Sequence, residues 1–183
     1  MHTTRFVLAL AAGLLLAAPA ASAQNTPGWA GFSVHATPAD TALRFTTAGR
    51  SFTVLFDGFV ADAQGSAEWA PVTRTATFSV ALQEDQPGTR LRFTQHLRGG
   101  ISKDPDARVV VVLVLPDRTE TLVFPYGQNV VGGDLFRTFH STLRYHTAQE
   151  YAASVFVRVD RRRPDAAARV DIDSFDVEVS RTP

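Results

Sequence analysis

Arg74–Gln83, RTATFSVALQ, decides the fold class: Ala76, Phe78, Val80 and Leu82 alternate with Thr75, Thr77, Ser79 and Ala81. A period of two puts successive side chains on opposite sides of an extended chain, so this stretch predicts a half-buried β-strand. The pattern repeats on either side of it. In Ser51–Phe59, Phe52, Val54 and Phe56 oppose Ser51 and Thr53. In Arg90–Leu97, Leu91, Phe93 and Leu97 share a face with Gln95, and in Ala153–Asp160 the shared face is Val155, Val157 and Val159. Arg108–Leu115, RVVVVLVL, is apolar on both parities, which predicts a central strand covered on both sides or paired against another layer.

Turn-forming groups punctuate these runs: Asp57-Gly58, Gln64-Gly65-Ser66, Gln86-Pro87-Gly88, Arg98-Gly99-Gly100, Lys103-Asp104-Pro105-Asp106, Pro116-Asp117, Gly132-Gly133-Asp134 and Arg163-Pro164-Asp165. Hairpin-like spacing of about nine to ten strands follows. The best helical competitor, Thr147–Ser154, is a turn or two at most. The predicted fold is all-β: a single antiparallel β-sandwich or jelly roll.

The closing stretch, Arg169–Val179, RVDIDSFDVEV, breaks the alternation. Val170 and Ile172 have one parity and Phe175, Val177 and Val179 the other. An apolar face survives only if one residue is added near Asp173-Ser174, so a β-bulge is predicted there. The bulge turns Asp171, Asp173 and Asp176 to the outward face.

The N-terminus has the three-part layout of a secretory signal. Arg5 is followed by the apolar run Phe6–Ala18 and by the small-x-small step Ala21-Ser22-Ala23. Residues 1–23 are therefore expected to be removed, leaving one domain over residues 24–183, exported to the periplasm, the cell surface or the medium. The apolar run is shorter than the roughly 20 residues of a spanning helix, so no transmembrane anchor is expected. With 18 basic and 18 acidic residues, net charge gives no reason to expect nucleic acid as a partner. The absence of cysteine excludes thiol catalysis, thiolate metal sites and lipid attachment at a new N-terminal cysteine.

Few residue groups carry a chemistry. Asp171 and Asp173, two apart on a strand face, lie about 7 Å apart and with Asp176 could approach one calcium ion, although no EF-hand loop accompanies them and nearby arginines could serve as counter-charges. No other cofactor is indicated. His140 and His146 are too far apart in a regular strand for one metal, and neither HExxH nor a G-x-S-x-G elbow occurs. No pair of carboxylates is set up for glycoside hydrolysis. Among the aromatics with polar handles, Trp69 in a turn-rich segment, Tyr126 in the irregular stretch FPYGQNVVGGD, and Tyr145 are the candidate ligand-binding residues, suited to a polysaccharide or a protein partner when exposed. The first expectation is thus a non-catalytic exported binding or assembly protein. A carbohydrate-binding module is the alternative, and a jelly-roll hydrolase the third.

Two resemblances bear on this. Ser51–Ile101, with SFTVLFDGFVA, a Pro-Gly turn and a strand closed by Arg98-Gly99, resembles a family of small secreted β-sandwich proteins of unknown function from bacteria and fungi. Members usually carry disulfides, which this chain lacks. The ending VDIDSFDVEV resembles the closing strand of carbohydrate-binding jelly rolls. That likeness implies a calcium-steadied sugar-binding fold, with Asp173 as the carried-over ligand and Asp171 beside it.

Overall fold

The computed structural model describes residues 27–36, 42–64, 70–84, 86–146 and 149–182. They form eleven strands and no helix: β1 Gly28–Ala36, β2 Ala42–Ala48, β3 Ser51–Asp57, β4 Val60–Asp62, β5 Val72–Gln83, β6 Arg90–Lys103, β7 Ala107–Val114, β8 Thr119–Phe124, β9 Val130–Arg144, β10 Glu150–Arg161 and β11 Ala168–Arg181. One sheet has the order β1-β5-β10-β7-β8 and the other β2-β3-β11-β6-β9, with β4 also paired to β11. Every pairing is antiparallel, so the chain is the β-sandwich its periodicity predicts. Residues 1–26, which hold the signal-like segment, lie outside the described residues.

The core is the sum of the inward parities. Ala76, Phe78, Val80 and Leu82 of β5 are buried with Val155, Val157 and Val159 of β10 against Phe52, Val54, Leu91, Phe93, Leu97, Phe175 and Val177 of the other sheet. Aromatic rings knit the two layers. Trp29 of β1 meets Phe52 of β3 edge-on at 4.6 Å, and Phe78 of β5 meets Phe175 of β11 at 5.6 Å. Trp29 also donates its indole N–H to the Arg50 carbonyl at 2.9 Å, which satisfies its one polar atom.

The β-bulge in β11 lies where the parity break requires it. Ile172 pairs with Gly99 and Ser174 with Arg98, so Asp173 is the inserted residue. The neighbouring strand adapts at the same level. β3 pairs with Ser174–Glu178 and β4 with Arg169–Asp171, and between them Gly58 takes a positive φ of 82° while the Phe59 carbonyl accepts from the Ile172 amide at 3.1 Å.

Several sequence expectations are corrected. Arg98-Gly99-Gly100 and Gly132-Gly133-Asp134 are not turns but interior residues of β6 and β9, so the strand of the resemblance does not close at Arg98-Gly99. Gly99 is needed because the bulged backbone of β11 comes too close for a side chain, not because the chain reverses. The helical competitor is replaced from Glu150 onward by β10, whose valines pair on both sides; residues 147 and 148 lie outside the described residues. Of the two readings of RVVVVLVL, packing against another layer holds and cover on both sides does not: it lies next to the edge strand and one face packs on the core between the sheets. Val109, Val111 and Leu113 are buried, whereas Val110 and Val112 are half-buried and Val114 is exposed. The outward valines extend a row with Phe156 of β10 and Val123 of β8, where β-branched side chains suit a pleated surface even without a covering layer.

Candidate ligand-binding face

Trp69 lies outside the described residues. Tyr145 is buried in the core, its amide donating to Thr89 and its carbonyl accepting from Gly88, so its ring faces protein rather than a ligand. Tyr126 sits half-buried in the turn between β8 and β9, and the Arg162 guanidinium lies 4.1 Å from its ring centre. That cation–π contact fastens the turn to the β10–β11 connection and covers one face of the ring. Tyr126 and Tyr145 therefore share no surface.

Asp171, Asp173 and Asp176 face outward as expected, but two of them are engaged by arginine. Asp171 pairs with Arg169 at 2.9 Å. Asp176 pairs with Arg98 at 3.2 Å and accepts from the Thr53 hydroxyl at 2.6 Å. Asp173, on the bulge, is exposed. The hydrogen bond that Arg169 donates to the Asp171 carboxylate holds its guanidinium above the ordinary pKa, with Asp62 adding to the effect. Among the described residues no three carboxylates or histidines are grouped so as to hold a metal ion.

What the structure brings together instead is the outward face of β6 and β9. Leu91, Phe93, Gln95 and Leu97 point inward, so Arg90, Arg92, Thr94, His96 and Arg98 point out. The β6–β9 register sets these opposite Arg144, Thr142, His140, Thr138 and Phe136 respectively. The strip is about 26 Å long at 3.3 Å per residue. Its centre is built by cross-strand contacts: His96 Nδ1 lies 2.9 Å from Thr138 Oγ1, and its ring lies parallel to Phe136 at 5.9 Å, with an interplanar angle of 8°. Arg98 reaches over the same Phe136 ring at 5.5 Å. Phe136 is 49% exposed, on the outward parity of the edge strand β9. The Phe136 ring, with Arg98 over it and the His96 imidazole parallel to it, leaves an exposed apolar surface that can pack on a sugar ring while the two side chains hydrogen-bond its hydroxyls. Neither half of the strip stands out in sequence. The alternation of RLRFTQHLR marks five outward polar positions, but their partners, from Phe136 to Arg144, belong to a strand that is remote in sequence.

The inward side of the same strands carries polar groups of a different kind. Gln95 donates its side-chain amide to the Ser141 hydroxyl inside the core. Gln95 Oε1 and the Tyr151 hydroxyl are buried there without hydrogen-bond partners. Burial pushes the Tyr151 phenol far up; Gln95 is close enough to oppose that slightly without closing a hydrogen bond, and the Asp117 charge adds to it. Lys103, the chain's one lysine, is buried at the end of β6, where its ammonium donates to the carbonyls of Asp104, at 3.1 Å, and Gln128. Loss of water lowers its pKa, and Asp104 partly offsets this. Both acceptors belong to the main chain, so Lys103 ties the β8–β9 turn to the sheet.

No family model matches the chain, and no curated protein sequence does. Similar solved structures are distant. The enzymatically active domain of bacteriophage CBA120 tailspike protein 4 is 11% identical, with a TM-score of 0.26, over 87% of this chain and 20% of that one, so this chain spans about a fifth of its length. The carbohydrate-binding module TmCBM27, described for specific mannan recognition, is 11% identical, with a TM-score of 0.27, over 86% of this chain and 100% of that one. The xylan-binding CBM22-1 domain of Paenibacillus barcinonensis Xyn10C is 10% identical, with a TM-score of 0.22, over 84% and 88%. Overlaps this loose assign neither a family nor a ligand.

Proposed function

We propose that this chain is an exported, non-catalytic binding protein that takes a polysaccharide along the outward face of β6 and β9. The supporting observation is the exposed Phe136 ring, flanked by the parallel His96 imidazole and by Arg98. The strip is open and lengthwise, which suits a polymer passing over the sheet better than a small molecule enclosed in a pocket. The test is affinity electrophoresis of residues 24–183 through gels containing soluble glucan, xylan, mannan or pectin. At least one polymer is expected to retard the protein, and Phe136→Ala to abolish the retardation without lowering the melting temperature. Equal retardation of both proteins in every gel would remove the face from consideration.

A second reading, assembly with other chains, is favoured by the outer surface of the other sheet. There β8 pairs with β7 alone, and Val114 and Val123 stand exposed beside half-buried Val110, Val112 and Phe156. An edge strand with an apolar flank is a template for strand addition. Sedimentation of the wild type against Val123→Lys distinguishes it: association that the lysine abolishes is the expected result of this reading.

A further inference from the structure

We infer that the polymer bound on this face is an acidic polysaccharide whose carboxylate or sulfate groups are held by Arg90, Arg92 and Arg144, an inference that rests on the β6–β9 face being the polysaccharide site. Arg90 and Arg144 are directly opposite one another in the register, and Arg92 follows two residues along on the same outward face, opposite Thr142. All three are exposed. Like charges directly opposed on antiparallel strands repel, so the fold itself has no use for this placement.

Many of the chain's other arginines are paired with carboxylates, although Arg108, Arg137 and Arg162 have no ion pair among the described residues. Arg98 meets Asp176, Arg169 meets Asp171 at 2.9 Å, Arg158 meets Asp160 at 2.8 Å, and Arg163 and Arg181 meet Asp165 and Glu84 at 2.7 Å each. What sets Arg90, Arg92 and Arg144 apart is that they lie together on one face, and among the described residues no carboxylate is paired with any of them. The acidic neighbours do not change this. Asp117 reaches Thr142 from the β7–β8 turn, but it accepts from the Thr142 amide at 2.8 Å and hydroxyl at 3.1 Å and pairs with Arg118 at 3.3 Å. Glu178 stands opposite Thr94, one rung along from Arg92.

Arg90 and Arg144, with Gly88, Thr142 and Leu143, line a depression of about 480 Å³ at the end of the strip. Guanidinium forks match the two oxygens of a carboxylate or sulfate ester, and three of them in line with the Phe136 platform suit an anionic group repeated along a chain.

The test compares polygalacturonate with the same polymer fully methyl-esterified, and dextran sulfate with dextran, by titration calorimetry at two salt concentrations. The proteins are the wild type, the triple variant Arg90→Gln/Arg92→Gln/Arg144→Gln, the single variant Arg92→Gln, and Phe136→Ala. The wild type is expected to bind the charged member of one pair at least about tenfold more tightly, and which pair distinguishes carboxylate from sulfate. The triple variant should lose that preference and most of the salt dependence while keeping its affinity for the uncharged polymer. If the triple variant misfolds, Arg92→Gln alone should still narrow the preference. A preference that survives the triple variant, or a wild type that binds charged and uncharged polymers alike in a Phe136-dependent way, overturns the inference and leaves the platform standing. No binding of any polymer overturns both.

Discussion

The backbone carbonyl of Asp171 occupies the space that a β-carbon on Gly99 would need: its carbon would stand 3.0 Å from that atom, and its oxygen nearer still. The contact adjoins the β11 bulge: Ile172 pairs with Gly99, and Asp173 is the residue inserted next to it. Backbone in a central strand has little freedom to retreat. Gly99→Ala is therefore expected to lower stability by about 1–3 kcal/mol or more. Gly100→Ala, which would meet only the movable end of the Asp171 side chain at 3.4 Å, should do much less. Urea unfolding of the two variants checks the contrast, and equal losses would mean that the bulge relaxes freely.

The buried polar groups of β6, β9 and β10 give a second contrast. The Tyr151 hydroxyl is buried without a partner, so its removal forfeits no hydrogen bond. Tyr151→Phe should leave stability unchanged or raise it by up to about 1 kcal/mol. Ser141 is the acceptor for the Gln95 amide, and Ser141→Ala orphans a buried donor at a loss of about 1–3 kcal/mol. Opposite signs for two conservative deletions in one core, read from denaturant midpoints, are the expected outcome.

Much of this architecture is legible in the sequence, and the limits are physical. The change of parity between Ile172 and Phe175 locates the bulge to the Asp173-Ser174 step, because burial on one face requires an added residue there. The same reasoning misreads Gly99-Gly100 and Gly132-Gly133 as turns. Glycine marks chain reversal, but also close backbone approach, as at Gly99, and a left-handed φ within an irregular strand pair, as at Gly132 with φ 57°. Only the neighbouring strand tells them apart. Tyr145 looks like a ligand-binding aromatic because its exposure depends on packing that local sequence does not state. The β6–β9 strip escaped for a related reason: RLRFTQHLR shows which residues face out, but the strand that completes the surface is set by long-range register.

Asp117 fixes the expected response to acid. Burial by itself would raise its pKa, but the Thr142 amide and hydroxyl, with Arg118, outweigh that and hold the carboxyl below its ordinary 3.8. A folded-state value below the unfolded one means that the native chain binds fewer protons. The stabilisation is therefore complete above the unfolded value and is lost as pH falls through the folded one. Because the contact joins the β7–β8 turn to the exposed edge of β9, Asp117→Asn should reduce stability at neutral pH and flatten the acid limb of the stability curve. Melting temperatures from pH 2 to pH 7 measure it, and parallel curves for both proteins would assign the acid limb to other carboxylates.

The outward aspartates of β11 bring the resemblance to carbohydrate-binding jelly rolls to a test. A calcium ion needs six to eight oxygens, and charged side chains that approach it must leave their present partners. Asp171 would give up Arg169, and Asp176 would give up Arg98 and the Thr53 hydroxyl, leaving Asp173 as the one uncommitted carboxylate of the three. One exposed carboxylate does not hold calcium against water. Millimolar calcium is accordingly expected to leave the melting temperature where a chelator leaves it, and Asp173→Ala to change neither. A rise with calcium that Asp173→Ala removes would show instead that the arginine pairs open to admit the ion, since a ligand bound only by the folded state must stabilise it. The pairs Arg169–Asp171 and Arg98–Asp176 would then be the closed state of a metal site rather than the permanent outer surface of the sheet.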